Sequence, residues 1–263
     1  GHPYRGGDSS SVSSQLSSGV VEIYSTSEAF AAIKTDGSVV TWGQPLQGGD
    51  SSIVSSELVS GVEEIFGTAG AFAALKSDGS VVTWGDLEYG GDSSAISSQL
   101  SGGIAEITSG ARAFVALKSD GSVVHPWGTE DGLYFNSVAS ELSSGVSEIF
   151  TTGTGFAALK SDGSVVNWGD TWYSCNRCIE FSLNGLNPQL SSGVVDIYHN
   201  TESFAALKSD GSIVTWGDEG AGDSSSVSYA LSSGVVDIIG STSGVASSFA
   251  ALKSDGSVVS WGA

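Results

Sequence analysis

Cys175-Asn176-Arg177-Cys178 is the one spacing in this chain with chemistry of its own. A Cys-x-x-Cys serves as a redox pair, half of a zinc site or a local disulfide. Zinc needs two further ligands, and His2, His125 and His199 are the whole histidine supply. Redox catalysis places the first Cys at a helix N-terminus, and neither Trp172-Tyr173-Ser174 before the pair nor Ile179-Glu180-Phe181 after it carries a helix-start signal. Of disulfide, free dithiol and metal site, the favoured reading is a Cys175–Cys178 disulfide that stiffens its segment. Around it stand Trp172, Tyr173, Arg177 and Phe181, aromatic and guanidinium side chains of the kind that anchor protein interfaces. Catalysis has little else to draw on. There is no Gly-x-Ser-x-Gly elbow, no EF-hand loop, and the carboxylate pairs Glu63-Glu64, Glu130-Asp131 and Asp218-Glu219 are adjacent along the chain, which splays them apart. The expectation is a protein that is not an enzyme and that has no metal or cofactor.

The elements that must position these residues come from a repeat. Trp42, Trp84, Trp127, Trp168, Trp216 and Trp261 each precede Gly, at steps of 42, 43, 41, 48 and 45 residues. In the second unit, Val62-Glu63-Glu64-Ile65 alternates as a strand, Phe72-Ala73-Ala74-Leu75-Lys76 is a second, Asp78-Gly79 turns the chain and Val81-Val82-Thr83-Trp84 is a third. The Asp-Gly pair, repeated at 36, 120, 162, 210 and 255, predicts a two-residue type I′ hairpin. Between units runs a Ser-rich connector. Val12 and Leu16, Ile96 and Leu100, Val138 and Leu142, and Val227 and Leu231 are four apart, which predicts one helical turn opened by Asp8, Asp50, Asp92 or Asp223 and stopped by a Gly such as Gly19 or Gly61.

Three strands and a connector cannot bury both faces alone, so neighbouring units must cover each other, in a β-propeller or an open solenoid. The chain starts in a connector and stops at Trp261-Gly262-Ala263, adjacent phases of one repeat, which a closed ring favours. The prediction is an all-β, six-bladed β-propeller with three or four strands per blade. It forms a single domain over 1–263, with repeat ends near 43, 85, 128, 169, 217 and 262. A start at Gly1 and no Met anywhere suggest a polypeptide excised from a longer one.

Ala-Leu-Lys-Ser-Asp-Gly-Ser-Val-Val-Thr-Trp-Gly, preceded by Val-x-x-Ile, resembles the repeat of the regulator of chromosome condensation family, through six segments and essentially the whole chain. The compact unit is most similar to the short-blade variety found in a secreted propeller that inhibits β-lactamases. The family's members are typically seven-bladed and carry a Gly-x-x-His before the second strand, where this chain has Ser25-Thr26-Ser27-Glu28-Ala29-Phe30. What the resemblance implies is a rigid disc that binds proteins, with no particular partner.

Charge narrows the partners. Nine basic residues face 29 acidic ones, a net charge of −20 that repels nucleic acid and anionic lipid, and no apolar stretch approaches the about 18 residues of a membrane span. Six of the nine are the repeat lysines 34, 76, 118, 160, 208 and 253, expected to pair with the Asp two residues on or to stand in solvent. The six repeat tryptophans are expected in the core between blades.

Function belongs to the positions that break the repeat. These are the expanded segment 170–188, a four-residue insertion between Ile238 and Phe249, the apolar Leu133-Tyr134-Phe135 run in place of Gly-Gly-Asp, and His125-Pro126, which adds a residue and predicts a bulge. These positions point to a non-catalytic protein-binding or scaffolding propeller whose partner meets Trp172, Tyr173, Arg177 and Phe181. The alternative is a carbohydrate- or small-ligand-binding, lectin-like ring using equivalent positions in several blades.

Overall fold

A computed structural model describes residues 5–128, 135–153, 155–169, 178–179 (backbone only), 188–241 and 247–262. The chain is all-β, built as six antiparallel blades of a β-propeller in chain order. It divides into two compact units, Gly1–Gly132 and Leu133–Ala263, with three blades in each. In the first unit, blade 1 holds β1 (Val20–Ser25), β2 (Ala29–Lys34) and β3 (Val39–Gly43). Blade 2 holds β4 (Val62–Gly67), β5 (Ala71–Lys76) and β6 (Val81–Gly85), and blade 3 holds β7 (Ile104–Ser109), β8 (Ala113–Lys118) and β9 (Val123–Gly128). In the second unit, blade 4 holds β10 (Val146–Thr151), β11 (Gly155–Lys160) and β12 (Val165–Gly169). After β13 (Cys178–Ile179), blade 5 holds β14 (Val194–His199), β15 (Ser203–Lys208) and β16 (Ile213–Asp218), and blade 6 holds β17 (Val235–Gly240), β18 (Ser248–Lys253) and β19 (Val258–Gly262).

Every blade runs first–second–third strand by hairpins, and every first strand carries a bulge, as between Val62 and Glu64 against β5. Two consecutive residues, Glu63 and Glu64, are then both exposed before alternation resumes with buried Ile65. The bulge predicted at His125-Pro126 is present as a register shift between Phe114 and Ala116 opposite β9. A Pro lacks the ladder's N–H, and the shift takes it out of the regular pairing.

The Asp-Gly hairpins differ from the two-residue turn predicted. Lys76 N–H donates to Ser80 O at 2.9 Å and Gly79 N–H to Lys76 O at 2.8 Å, so the loop is Ser77-Asp78-Gly79, a type I turn closed by a bulge. Gly79 takes the left-handed conformation, φ +75°, and the Asp78 carboxylate accepts from both Ser80 N–H and its hydroxyl, at 2.9 and 2.6 Å. An Asp that bonds two residues on favours this Asx geometry over positive φ at itself, and the same pair of bonds recurs from Asp36 to Asp255.

Connector turns form where predicted. Short 3-10 turns span Ser10–Val12, Ser52–Val54, Ser94–Ile96 and Ser225–Val227, and Leu16 N–H reaches Val12 O at 3.1 Å. Asp8, Asp50, Asp92 and Asp223 each accept the amide two residues on at 2.8 to 2.9 Å. Gly19, Gly61, Gly103 and Gly234 end the connectors at φ +73° to +77°. Ser-rich sequence forms these turns poorly by itself, and packing supplies the rest: Leu58, Leu100, Leu142, Leu190 and Leu231 are all at most 3% exposed.

The core lies between successive blades. Ala31, Ile33, Tyr24 and Val39 of blade 1 cover Leu58, Ile65, Phe72 and Trp84 of blade 2, and the same residue positions meet between blades 2 and 3, 4 and 5, and 5 and 6. Small residues in the second strand, Ala29, Ala31, Ala71 and Ala73, let the next blade approach closely. A backbone bond ties each of these junctions at the hairpin: Val62 N–H to Gly37 O, Ile104 to Gly79, Val194 to Gly163 and Val235 to Gly211, at 3.0 to 3.1 Å.

Candidate functional site

The side chains that recur in every repeat are occupied by the framework. Lys34, Lys76, Lys160, Lys208 and Lys253 donate Nζ to the connector carbonyls of Gln15, Glu57, Glu141, Gln189 and Ala230, at 2.5 to 2.8 Å. This corrects the expected Asp pairing. The last strand-ward carbonyls of a short turn have no partner within it, and a Lys of fixed register on the adjacent blade supplies one. Four of these bonds span 19 residues and that of Lys253 spans 23, so the extra residues of the last unit are passed over without changing the partner.

The Asp-Gly carboxylates are likewise used. The Ser hydroxyl and amide beside Asp36, Asp78, Asp120, Asp162, Asp210 and Asp255 hold each below the usual carboxylate range. Tyr24 donates to Glu22 at 2.8 Å, and burial first, then that carboxylate, pushes its phenol up. Burial, with Asp196 nearby, raises Glu148. Among the described residues no group of three or more His, Cys, Asp or Glu side chains could hold a metal. No helix there is long and apolar enough to cross a membrane.

The tryptophans are core, as predicted. Each stacks on the Phe opposite it in its own blade, with ring centroids 5.2 to 5.5 Å apart, and five of the six are at most 5% exposed. Trp42 and Trp84 donate the indole N–H to Gly6 O and Gly48 O at 3.1 and 3.0 Å. Gly48 lies on the Phe72 ring, where a Cβ would come within 2.5 Å of it. The indole N–H groups of Trp127, Trp168, Trp216 and Trp261 have no acceptor among the described residues. Residues 130–135 and 170–188 replace Gly-Gly-Asp before Trp168 and Trp216, Ala221 in α2 (Glu219–Gly222) replaces the first Gly before Trp261, and the His125-Pro126 bulge shifts Trp127.

A groove of about 710 Å³ lies in the first unit, between the connectors that flank blade 2. Ile53 and Leu87 stand in it at 83% and 69% exposure. Glu57, Asp78 and Asp92 line it against a single cation, Lys76, which is already bonded to Glu57 O. The sequence does not single out Ile53, because the connector's periodic signal is carried by its Val/Ile–Leu pairs. Its signal lies in the comparison of units, since Ile53 stands where Ser11, Ala95 and Ser226 stand in other units.

Of the expanded segment, the described part is β13, whose Cys178 and Ile179 pair antiparallel with Asp218 and Gly217 of β16 and give blade 5 a fourth strand. Trp172, Tyr173, Cys175, Arg177 and Phe181 lie outside the described residues, as does the predicted Cys175–Cys178 bridge.

No protein-family model matches this sequence, and no curated protein matches it. Solved structures do. Yeast RCC1 (Prp20), in its crystal structure with Kap60, is similar over 92% of this chain and 70% of that one, at 16% identity and TM-score 0.50. Prp20p from Saccharomyces cerevisiae matches over 92% and 72% at 15% identity and TM-score 0.49, and human WBSCR16 over 84% and 69% at 18% and 0.48. At such identities the likeness is one of fold.

Proposed function

We propose that this chain is a non-catalytic protein-binding module whose partner is a basic polypeptide with apolar side chains. The observation that carries this is the pair of exposed aliphatic residues, Ile53 and Leu87, in a groove with an acidic rim. Exposed aliphatic side chains grouped in a concave surface favour a protein ligand, and the surrounding carboxylates select its charge. The groups that catalysis would need are held in Asx turns, lysine-to-carbonyl bonds and Phe–Trp stacks. The solved complex of yeast RCC1 with Kap60 gives a precedent for protein binding on this fold. The segment 170–188, tethered to blade 5 through Cys178 and Ile179, offers a second contact through Trp172, Tyr173, Arg177 and Phe181. A lectin-like ring using Trp, Tyr and Asp at equivalent positions is less favoured, because five of the six repeat tryptophans are at most 5% exposed.

The test is capture from the native source with the wild-type chain, an Ile53→Glu/Leu87→Glu variant and a chain lacking 171–187. Polypeptides retained by wild type and lost from either variant, with unchanged circular dichroism, support the reading. Retention of a glycan in place of any polypeptide would overturn it.

A further inference from the structure

Every repeat hairpin joins an aspartate to a glycine, and that dipeptide carries a reaction of its own. The glycine nitrogen can attack the aspartate side-chain Cγ and close a five-membered imide, and a residue without a Cβ leaves that nitrogen unhindered. The pair recurs in all six hairpins, at Asp36, Asp78, Asp120, Asp162, Asp210 and Asp255, each of them exposed. The structure holds both reacting groups out of this reaction. Gly37, Gly79, Gly121, Gly163, Gly211 and Gly256 donate N–H to the carbonyl of the lysine three residues back, at 2.8 to 2.9 Å. Each carboxylate accepts the amide of the serine two residues on at 2.9 to 3.0 Å and its hydroxyl at 2.6 Å. Those bonds favour the ionised carboxylate, whereas the imide forms from the neutral acid, whose hydroxyl is the leaving group.

We propose that the six hairpins are latent isoaspartate sites, which the serine and lysine bonds keep closed in the folded chain and which react when a hairpin loosens. At Asp78 the bond from Gly79 N to Asp78 Cγ forms, the bond from Cγ to its hydroxyl breaks, and the amide proton leaves with that hydroxyl as one water. Water then adds back to the imide. Where it cleaves the bond between the glycine nitrogen and the aspartate main-chain carbonyl carbon, the chain continues through Cγ, with one more carbon in the backbone and the α-carboxylate as a side group. No oxidant, reductant or cofactor takes part. The consequence falls on the blade junctions within each unit. Gly79 O accepts Ile104 N–H at 3.1 Å, and a Cβ on Gly79 would come within 2.8 Å of Gly103 N. Gly37, Gly163 and Gly211 make the same bond to Val62, Val194 and Val235, at 3.0 to 3.1 Å. Extra backbone at so close a contact displaces the neighbouring blade, so the loosened junction outlasts the opening that allowed the reaction.

Peptide mapping of the full chain tests this, because an endoproteinase that cuts before aspartate does not cut before isoaspartate. Samples are held for several weeks at about pH 6 and about 37 °C, either native or unfolded in guanidinium chloride. Isoaspartate at the six hairpins should accumulate at least about tenfold more slowly in the native chain, a ratio set by how rarely a hairpin opens. In native Ser80→Ala, the rate at Asp78 should rise by about threefold or more while the other hairpins keep their wild-type rates. A rise at all six would mark a chain that the substitution has unfolded, and Ser38→Ala then makes the same local comparison at Asp36. Native and unfolded rates that agree, or a serine variant whose own hairpin reacts no faster than in wild type, overturn the proposal.

Discussion

A lysine on a β-strand of an acidic protein would ordinarily be assigned to the nearest carboxylate, and here the nearest carboxylate in sequence is already bonded to a serine. Lys76 instead closes the connector before its own blade, donating to Glu57 O at 2.7 Å. Lys76→Met keeps the stem and removes that bond, and should cost about 1 kcal/mol in urea denaturation, below the usual range for a charged donor because the bond is exposed. Asp78→Ala should also destabilise, through loss of two bonds in the turn. The carboxylates beside serine amides and hydroxyls have folded pKa values lowered from the ordinary carboxylate value. Their contribution is therefore complete above about pH 4 and is lost as pH falls through the folded values. Melting temperature followed from pH 7 to 2 in 0.5 M salt, where charge repulsion is screened, should fall below about pH 4. Glu148, raised by burial, works the other way and gains as pH falls.

At the level of elements, the strands, the connector turns and the core tryptophans were all legible, because periodicity and repeated Trp-Gly positions report directly on which face is buried. The hairpin type was not legible. Asp-Gly suits two turn families, and the choice rests on Ser80 as the Asx partner and on how closely the next blade approaches Gly79, which is a tertiary fact. Nor was Lys76 to Glu57 O, since its partner is a backbone atom 19 residues back. Of the candidate site, the distinct character of 170–188 was readable, but its fourth-strand pairing with Asp218 and Gly217 was not, because two residues carry no periodic signal. The approach of one blade to the next gives a paired prediction. Gly79→Ala places a methyl 2.8 Å from Gly103 N at φ +75°, whereas Gly103→Ala meets nothing within 4 Å at φ +76°. Both pay about 1 kcal/mol for left-handed backbone, and Gly79→Ala should cost more by about 1 to 2 kcal/mol for the displaced blade. Equal losses in chemical denaturation would show that the junction yields without strain.

For the whole molecule, stability is the sum of blades and the junctions between them, as in any array of neighbouring repeats, set against a charge of −20. The cations do little to offset that charge. Five of the six repeat lysines donate to backbone carbonyls, and Arg5, itself 68% exposed, pairs with Glu28 at 3.4 Å. Exposed carboxylates that are unpaired repel one another over distances of a Debye length, about 30 Å at 0.01 M salt and about 3 Å at 1 M. The folded chain concentrates these charges more than the unfolded one does, so screening favours the fold. Raising sodium chloride from 0.01 to 0.5 M at pH 7 should therefore raise the melting temperature by several degrees, the response to about 1 to 2 kcal/mol for a chain of this size. Measured at a concentration low enough to keep the chain monomeric, a flat or falling melting temperature would mean that the specific charge-assisted bonds, which salt weakens, outweigh the repulsion. Lys76→Met would then show the smaller salt response.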